Sequence, residues 1–179
     1  MGVAKEPAQV KLFLAVMYTD ETIMQCAIEK CIKKFGALDF ELGPLEVSAY
    51  TDYYNDEMGE GIQKKYMTFE KLIRREEIST IKTFTNDIEK SLLKKNKRTV
   101  NLDPGYLTND KLILATTKDF YQRIYLDNGI YAEVTLHYRK GKYRFFSWTY
   151  PDYKEKELQE FLMKARDGLV KEIRDVKKT

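Results

Sequence analysis

The arrangement of apolar and polar positions near the N-terminus predicts a strand followed by a helix. Residues 10–18 form a short apolar run with β-branched and aromatic side chains, which is typical of a buried strand. Asp20 then offers a side chain suited to an N-cap, and apolar residues follow at positions 28, 31, 32 and 35, on one helix face. Gly36 is a natural stop, because glycine accepts the backbone conformation found just beyond helix ends.

The pattern continues with two strands, a second helix and a short strand. Gly43-Pro44 interrupts the alternation that begins at Leu38, which predicts a bulge or bend, since proline cannot sit in a central ladder. The predicted elements are strands at 38–47, 65–73 and 99–102, and a helix over 78–92 with helical apolar spacing. Residues 10–102 therefore have the order β-α-β-β-α-β of a ferredoxin-like unit.

A strand-rich part follows and ends in a helix. Asp103-Pro104-Gly105-Tyr106 has the residues of a tight turn, and residues 108–117 favour a short helix over a strand. Asp127-Asn128-Gly129 predicts a hairpin turn, and a second turn at 139–142 leads into a strand over 143–150. We therefore predict one α+β domain, with a ferredoxin-like core extended by an antiparallel β-meander over 120–150 and a long C-terminal helix over 154–177.

Composition is that of a single globular domain. The 179 residues are 43% hydrophobic and 33% charged, and no apolar run approaches the ~20 residues of a membrane span. The N-terminus lacks the order of a signal peptide, so we expect a soluble cytoplasmic protein without membrane contact. Cys26 and Cys31 fall on different faces of one predicted helix, which predicts free thiols in a reducing compartment.

Charge and motifs exclude several classes of function. The net charge of +3 is small for a nucleic-acid binder, and the abundance of Lys and Glu suits a heat-adapted organism. The chain contains no P-loop, no G-x-G-x-x-G after a strand and no G-x-S-x-G elbow. With one histidine, His137, the chain alone cannot form a multi-histidine metal site. P-loop NTPases, dinucleotide dehydrogenases and multi-histidine metalloenzymes are therefore not expected.

The predicted meander carries the most informative polar pattern. Strict alternation puts one set of polar residues on a single face, namely Tyr131, Glu133, Thr135 and His137, with Arg123, Tyr125 and Arg144 joining from the flanking strands. One interpretation is a solvated face with cross-strand ion pairs. The other is a surface that grips a charged ligand, with Glu133 and His137 as candidate acid–base groups.

Three further clusters of candidate binding residues are Asp52, Tyr53 and Tyr54; Asn101, Asp103 and Tyr106; and Trp148 with Asp152. The first lies in an acidic loop that either binds a cation or basic partner, or covers the core edge. The second lies where a strand enters a turn, either as a functional site or as a turn held by its own hydrogen bonds. The third is an aromatic run into a proline bend, which either packs under the last helix or stacks a base.

Four stretches of sequence together resemble a known family. They are residues 50–59 with YTDYY and EMG, residues 100–107 with VNLDPGYL, residues 114–136 with LATTK, RIYL and GIYAEVTL, and residues 148–153 with WTYPDY. On these motifs nearly the whole chain resembles the bacterial and archaeal family catalogued as domain of unknown function 4416. Members are often labelled GTP-binding proteins, a label that the missing P-loop does not support. The resemblance implies where to look, since its motifs coincide with the candidate clusters.

The leading hypothesis is a protein that binds a small anionic or phosphorylated ligand, such as a nucleotide, with or without acting on it as an enzyme. Lys118, Arg123 and Arg144 would hold the negative charge, and Asp103, Glu133 and His137 would transfer protons or contact a metal. This hypothesis requires Arg123, Glu133 and Asp103 to converge. The sequence identifies no cofactor and no oligomeric state.

The rival hypothesis is a non-enzymatic RNA-binding or protein-interaction module. It would use exposed aromatic residues together with basic residues at 94–98 and 139–144 that could follow phosphates. Charged helix ends and hairpin tips explain the same basic residues equally well. This hypothesis predicts salt-sensitive binding to single-stranded RNA.

Overall fold

The structure is a computed structural model that describes residues 2–46, 58, 61–95 and 97–176. Its elements in chain order are β1 (Val10–Tyr18), α1 (Glu21–Phe35), β2 (Leu38–Glu46), β3 (Gln63–Ile73), α2 (Ile78–Ser91), β4 (Val100–Leu107), β5 (Lys111–Thr116), β6 (Ile124–Asp127), β7 (Ile130–Arg139), β8 (Lys142–Phe145) and α3 (Lys156–Val176). Short 3₁₀ helices at Arg75–Glu77 and Pro151–Lys154 precede α2 and α3. The predicted α+β class, the order β-α-β-β-α-β and the C-terminal helix are confirmed. Within the described ranges, no helix is long and apolar enough to cross a membrane.

The strands form one antiparallel sheet in the order β2-β3-β1-β4-β5-β7-β6, and β8 also pairs with β7. In chain order, α1 connects β1 to β2 across the intervening β3, and α2 connects β3 to β4 across β1. All nine residues of β1 are buried, because this strand lies inside the sheet and is covered on both faces. The name ferredoxin-like stays a prediction for this arrangement.

Two hydrophobic cores cover the two faces of the sheet. Even-numbered residues of β1, such as Leu12 and Leu14, pack with α1 and α2. Phe13 and Ala15 pack with α3 and with Tyr153 of the second 3₁₀ helix. Because successive strand residues point to opposite faces, the continuous apolar run of β1 feeds both cores. The molecule therefore has three layers, with α1 and α2 on one side and α3 on the other.

The first helix begins and ends at the predicted residues. The Asp20 carboxylate accepts hydrogen bonds from the backbone N–H groups of Thr22 at 3.0 Å and Ile23 at 3.2 Å, as an N-cap does. Gly36 has φ of 100°, a conformation that a residue with a side chain rarely adopts, and its N–H donates to the Ile32 carbonyl.

Residues 103–106 do not form the predicted turn but continue β4 as a strand. The backbone of Leu102 bonds to side chains of α2, accepting from Lys82 Nζ and donating to Glu89 Oε1, both at 2.8 Å. These groups therefore point away from β1, and by alternation those of Pro104 do too. The pairing of β4 with β5 begins only at Gly105. Pro104 is tolerated because its missing N–H faces a stretch without a neighbouring strand.

Residues 111–116 form a strand, β5, so the predicted helix over 108–117 is wrong. β5 lies between β4 and β7, and residues 112–115 are all buried. A strand buried on both faces loses the apolar–polar alternation and resembles a short buried helix. The Thr108 hydroxyl accepts hydrogen bonds from the N–H groups of Asp110 and Lys111 and so stabilises the hairpin turn between β4 and β5.

The predicted antiparallel extension is confirmed, and the structure adds three details. β5 occupies one edge of β7 along Tyr131–His137, so β6 and β8 must both lie along the other edge. β8 ends at Phe145 rather than continuing to residue 150. β7 also contains a bulge, because Ile113 pairs with Val134 and Leu112 pairs with Leu136, which leaves Thr135 as an extra residue.

Candidate functional site

The sheet face that α3 covers is apolar at one end and polar at the other. Across β1, Ala15 lies opposite both Tyr66 and Asp103, and Met17 lies opposite both Lys64 and Asn101. Additional polar groups reach this end of the sheet from β7, from the segment before β6 and from the second 3₁₀ helix. We call this group the sheet-face cluster, and it consists of Lys64, Tyr66, Asn101, Asp103, Arg123, Glu133, Tyr150 and Asp152.

Asp152 fastens the second 3₁₀ helix to β3. One carboxylate oxygen, Oδ2, accepts from Lys64 Nζ at 2.6 Å and from the Tyr66 hydroxyl at 2.5 Å. The Lys64 ammonium also lies 5.2 Å from the ring centroids of Tyr66 and Tyr153. Burial, followed by the nearby Tyr66 and Asp152, raises the pKa of Tyr153 well above its usual range. A cation, a carboxylate and two tyrosine rings are thus fixed at this end of the cluster.

Asp103 is an ionised carboxylate near the centre of the sheet. Its oxygens accept from Lys82 Nζ at 3.1 Å and from Asn101 Nδ2 at 2.6 Å. Burial, the largest single effect, opposes its ionisation, but the charges of Lys82 and Lys64 together with the hydrogen bonds from Lys82 and Asn101 hold the pKa of Asp103 below its usual range. The side chain keeps 34% of its surface exposed. Asp103 therefore offers a negative charge that a ligand can reach.

Arg123 and Glu133 form a buried ion pair beside Tyr150. Arg123 Nε donates to Glu133 Oε2 at 2.7 Å, and the two side chains are only 6% and 2% exposed. The guanidinium also donates to the Lys118 carbonyl at 3.0 Å and lies 3.4 Å from the Tyr150 hydroxyl. The second carboxylate oxygen of Glu133, Oε1, is buried without a hydrogen-bond partner among the residues that the structure describes. Such an acceptor needs a donor.

Tyr150 lies between the Arg123–Glu133 pair and Tyr153, and the ring centroids of the two tyrosines are 6.3 Å apart. Burial raises the pKa of the Tyr150 hydroxyl, the charges of Glu133 and Asp103 raise it further, and Arg123 lowers it. Of these three residues, Arg123 contacts the hydroxyl directly, since its guanidinium lies 3.4 Å away. Tyr150 also stays 44% exposed, so the cluster is open at this point.

Three predicted site residues lie on the opposite face of the sheet. The extra residue in the β7 bulge reverses the alternation, so that His137 faces away from Glu133. Its ring lies 5.1 Å from Phe146. Arg144 is the strand partner of His137 and shares its face, and Tyr106 packs against the core of α1 and α2. The predicted shared face of Glu133 and His137 is therefore wrong.

The remaining predicted residues border the cluster or lie outside the described residues. Lys118 is exposed beside Arg123, and Tyr131 shares the face of Glu133 and contacts Tyr125 edge to face at 5.4 Å. Trp148 donates from Nε1 to the Val134 carbonyl at 3.0 Å and stacks on Phe146. The residues without a description are Asp52, Tyr53 and Tyr54. From that loop Met58 is described, and it is buried against Met17 and Ile62.

Four residues in or next to the cluster were not identified by the sequence analysis, although their positions in the sequence left a signal. Lys82 and Glu89 lie four and eleven positions after Ile78, on the apolar stripe of α2, where charged residues are unexpected. Lys64 and Tyr66 are at alternate positions of β3, as expected for one strand face. Among the described residues, no group of three or more His, Cys, Asp or Glu side chains is arranged to hold a metal ion.

The fold and the cluster define an antiparallel α+β domain with a polar centre on one sheet face. The chain belongs to the family described as Domain of unknown function (DUF4416), whose model matches residues 8–168. This match includes every residue of the sheet-face cluster, and it confirms the resemblance. No curated protein and no solved structure matches the chain.

Proposed function

We propose that the sheet-face cluster binds a small anionic or phosphorylated ligand, with a nucleotide as the best-fitting class. The observation that carries this proposal is the buried Arg123–Glu133 pair beside the half-exposed Tyr150, on the same sheet face as Asp103. Charged groups that converge in a partly covered site are the usual basis of specific recognition of polar ligands.

Positive charge for the anionic end of the ligand comes from two cations of the cluster and from Lys82, which pairs with Asp103. Arg123, Lys64 and Lys82 each pair with a carboxylate of the protein, and these pairs hold the cations at fixed positions before the ligand arrives. The exposed Lys118 lies at the opening beside Arg123. Charge-assisted hydrogen bonds from such groups are the strongest that a phosphate can receive.

Negative charge for the donor groups of the ligand comes from Asp103 and Glu133. Asp103 is ionised and a third exposed, and Glu133 Oε1 is an acceptor without a described partner. Both favour hydroxyl or amino groups, as a sugar or a base carries. The exposed ring of Tyr150 adds a surface for stacking. A nucleotide combines an anion, hydroxyl donors and a planar ring in one small molecule.

A thermal-shift screen of nucleotides, sugar phosphates and inorganic phosphate tests this proposal. One class at ~100 times its dissociation constant should raise the melting temperature by about 5–10 °C. Tyr150→Ala, which removes the stacking ring, should weaken this stabilisation, whereas Tyr125→Ala, the same change at an exposed tyrosine of β6, should leave it unchanged. No stabilisation by any compound, or equal effects of both variants, would contradict the proposal.

A second function, binding of a macromolecular partner, is favoured by a different observation. Large apolar side chains are exposed around β6 and β8. The two sets of basic residues lie at opposite ends of the sheet, since Lys94, Lys95, Lys97 and Arg98 precede the start of β4, whereas residues 139–144 flank the end of β7 that pairs with Lys111. This separation favours a protein partner over an RNA strand. Salt-sensitive retention of single-stranded RNA in a filter-binding assay would reverse that preference.

A further inference from the structure

Most of the exposed large apolar side chains of the described chain lie in one region. Of nine such residues, seven fall between positions 120 and 150: Phe120, Tyr121, Ile124, Tyr125, Leu126, Phe145 and Tyr150. All four residues of β6 are exposed, and Ile124 keeps 73% of its surface in solvent. Exposed apolar side chains concentrated in one part of a chain are a feature of interaction sites.

β6 and β8 together form the outer edge of the sheet. β6 pairs with residues 130–132 of β7 and β8 pairs with residues 136–139, both antiparallel and both on the edge that β5 leaves open. The two strands therefore run end to end along β7 in the same direction. In the gap between them, Trp148 and Thr149 donate to the β7 carbonyls of Val134 and Thr135. No strand of the described chain pairs with the far side of either edge strand. We call β6 and β8 together the outer edge.

We propose that the outer edge pairs with the outer edge of a second copy of this chain. Because β6 and β8 point in the same direction, a twofold axis through the gap between them places each β6 antiparallel to the partner's β8. Both strands of both copies are used, so the interface closes on itself. The two sheets then join into one continuous sheet.

Side chains across this pairing are complementary. Ile124 comes opposite the partner's Phe145, which joins two exposed apolar side chains. Tyr125 comes opposite the partner's Arg144, a favourable arrangement of a cation and an aromatic ring. Asp127 ends β6 and approaches the partner's Lys142, which belongs to a hairpin tip rich in basic residues. The acidic end of one strand thus meets the basic start of the other, twice by symmetry.

The available surface is large enough for a stable dimer. The exposed fractions of the six apolar residues other than Tyr150, which belongs to the sheet-face cluster, together correspond to about three and a half whole side chains, each able to bury ~200 Å². The apolar contribution alone thus approaches the ~800 Å² per partner of a standard interface. An extended peptide would cover only the backbone edge and would leave much of this area in solvent.

Charge reversal across the pair tests the proposed register. Wild-type protein should sediment as a dimer in analytical ultracentrifugation. Asp127→Lys and Lys142→Asp should each raise the dissociation constant by at least about tenfold, since each places like charges opposite one another. An equimolar mixture of the two variants should recover the dimer, because both contacts of the mixed pair are again attractive.

Matched controls are Asp87→Lys and Lys90→Asp, which reverse an exposed ion pair on α2 and should leave the dissociation constant unchanged. Melting temperatures of the variants separate lost association from lost folding, and Lys142, at an exposed hairpin tip, is the safer of the two changes. A monomeric wild type would overturn the proposal and leave the edge to a different partner. A dimer insensitive to both reversals, or one that the mixture fails to restore, would overturn it too.

Discussion

At the scale of single residues, two side chains of α2 take the place of a neighbouring strand. Where β5 has not yet joined β4, Lys82 binds the Leu102 carbonyl and Glu89 binds the Leu102 N–H. Both side chains are largely buried, and Lys82 also pairs with Asp103. The sheet can therefore open beside Asp103 without leaving the backbone of Leu102 unsatisfied.

Changing Glu89 separates its hydrogen bond from its charge. Glu89→Ala should lower the free energy of unfolding by about 1–3 kcal/mol, because the buried Leu102 N–H loses its acceptor. Glu89→Gln keeps an acceptor oxygen at the same place and should cost far less. Urea unfolding at neutral pH measures both values. Equal losses in the two variants would show that the hydrogen bond to Leu102 is unimportant.

The stability of Glu89→Gln and that of the wild type should depend differently on pH. Burial raises the pKa of Glu89 above its ordinary value, although the charge of Lys82 opposes this. A raised folded-state pKa stabilises the fold at low pH, and that contribution is lost as the pH rises through the folded-state value. Glu89→Gln lacks this loss, so its stability relative to wild type should be higher at about pH 7.5 than at about pH 4.5. A constant difference between the two pH values would contradict the burial of an ionisable Glu89.

The sequence predicted the residue types of the site better than their positions. Arg123, Glu133 and Asp103 lie on one sheet face, where Arg123 pairs with Glu133 and reaches Tyr150, and their joint use in one ligand site stays a prediction. His137 was placed with them by strict alternation, and one extra residue in β7 moved it to the other face. A bulge leaves little trace in the apolar pattern, because both phases of the strand are partly buried.

At the scale of elements, one buried lysine of β1 links this strand to β2, β3 and α3. Lys11 of β1 is fully buried and pairs with Asp39 of β2 at 2.5 Å and with Glu172 of α3 at 3.0 Å. It also lies within 3.4 Å of the Phe69 carbonyl in β3. The C-terminal helix is thus fixed to the sheet by charge as well as by its apolar stripe.

Removing Lys11 should lower the free energy of unfolding strongly, whereas neutralising its more exposed partner Glu172 should lower it little. Lys11→Met leaves the Asp39 carboxylate, only 14% exposed, without its cation and should cost about 3–5 kcal/mol. Glu172→Gln changes a group that is 40% exposed and should cost less than about 1 kcal/mol. Urea unfolding of the two variants measures the contrast. Similar losses for both would mean that Asp39 does not depend on Lys11.

Elements with one exposed face were predicted well, and those buried on both faces or shaped by tertiary pairing were not. The apolar stripes identified α1, α2 and α3, and Asn-Gly identified the β6–β7 hairpin. β5 was taken for a helix because both of its faces are covered. Pro104 and Gly105 indicated a turn, yet the open side of β4 accommodates the proline within a strand. Such outcomes depend on neighbours that a local pattern does not contain.

At the scale of the whole molecule, the proposed ligand site and the proposed dimer edge are close but distinct. They adjoin at the start of β6, since Arg123 belongs to the sheet-face cluster and the next residue, Ile124, is the first residue of β6. Arg123 also contacts the ring of Phe120, one of the exposed apolar residues. A ligand held at Arg123 would therefore lie beside the partner chain rather than inside the interface.

The central claim is that the sheet-face cluster is the place where a small anionic ligand binds. Amide chemical-shift mapping by ¹H–¹⁵N NMR with the most stabilising compound of the thermal-shift screen tests it most directly. The account predicts that the largest shifts fall at residues 64–66, 101–103, 118–123, 133 and 150–153, and that Asp103→Asn diminishes them. Shifts confined to α1, to the outer edge or to the charged surface of α3, or shifts unaffected by Asp103→Asn, would contradict the claim.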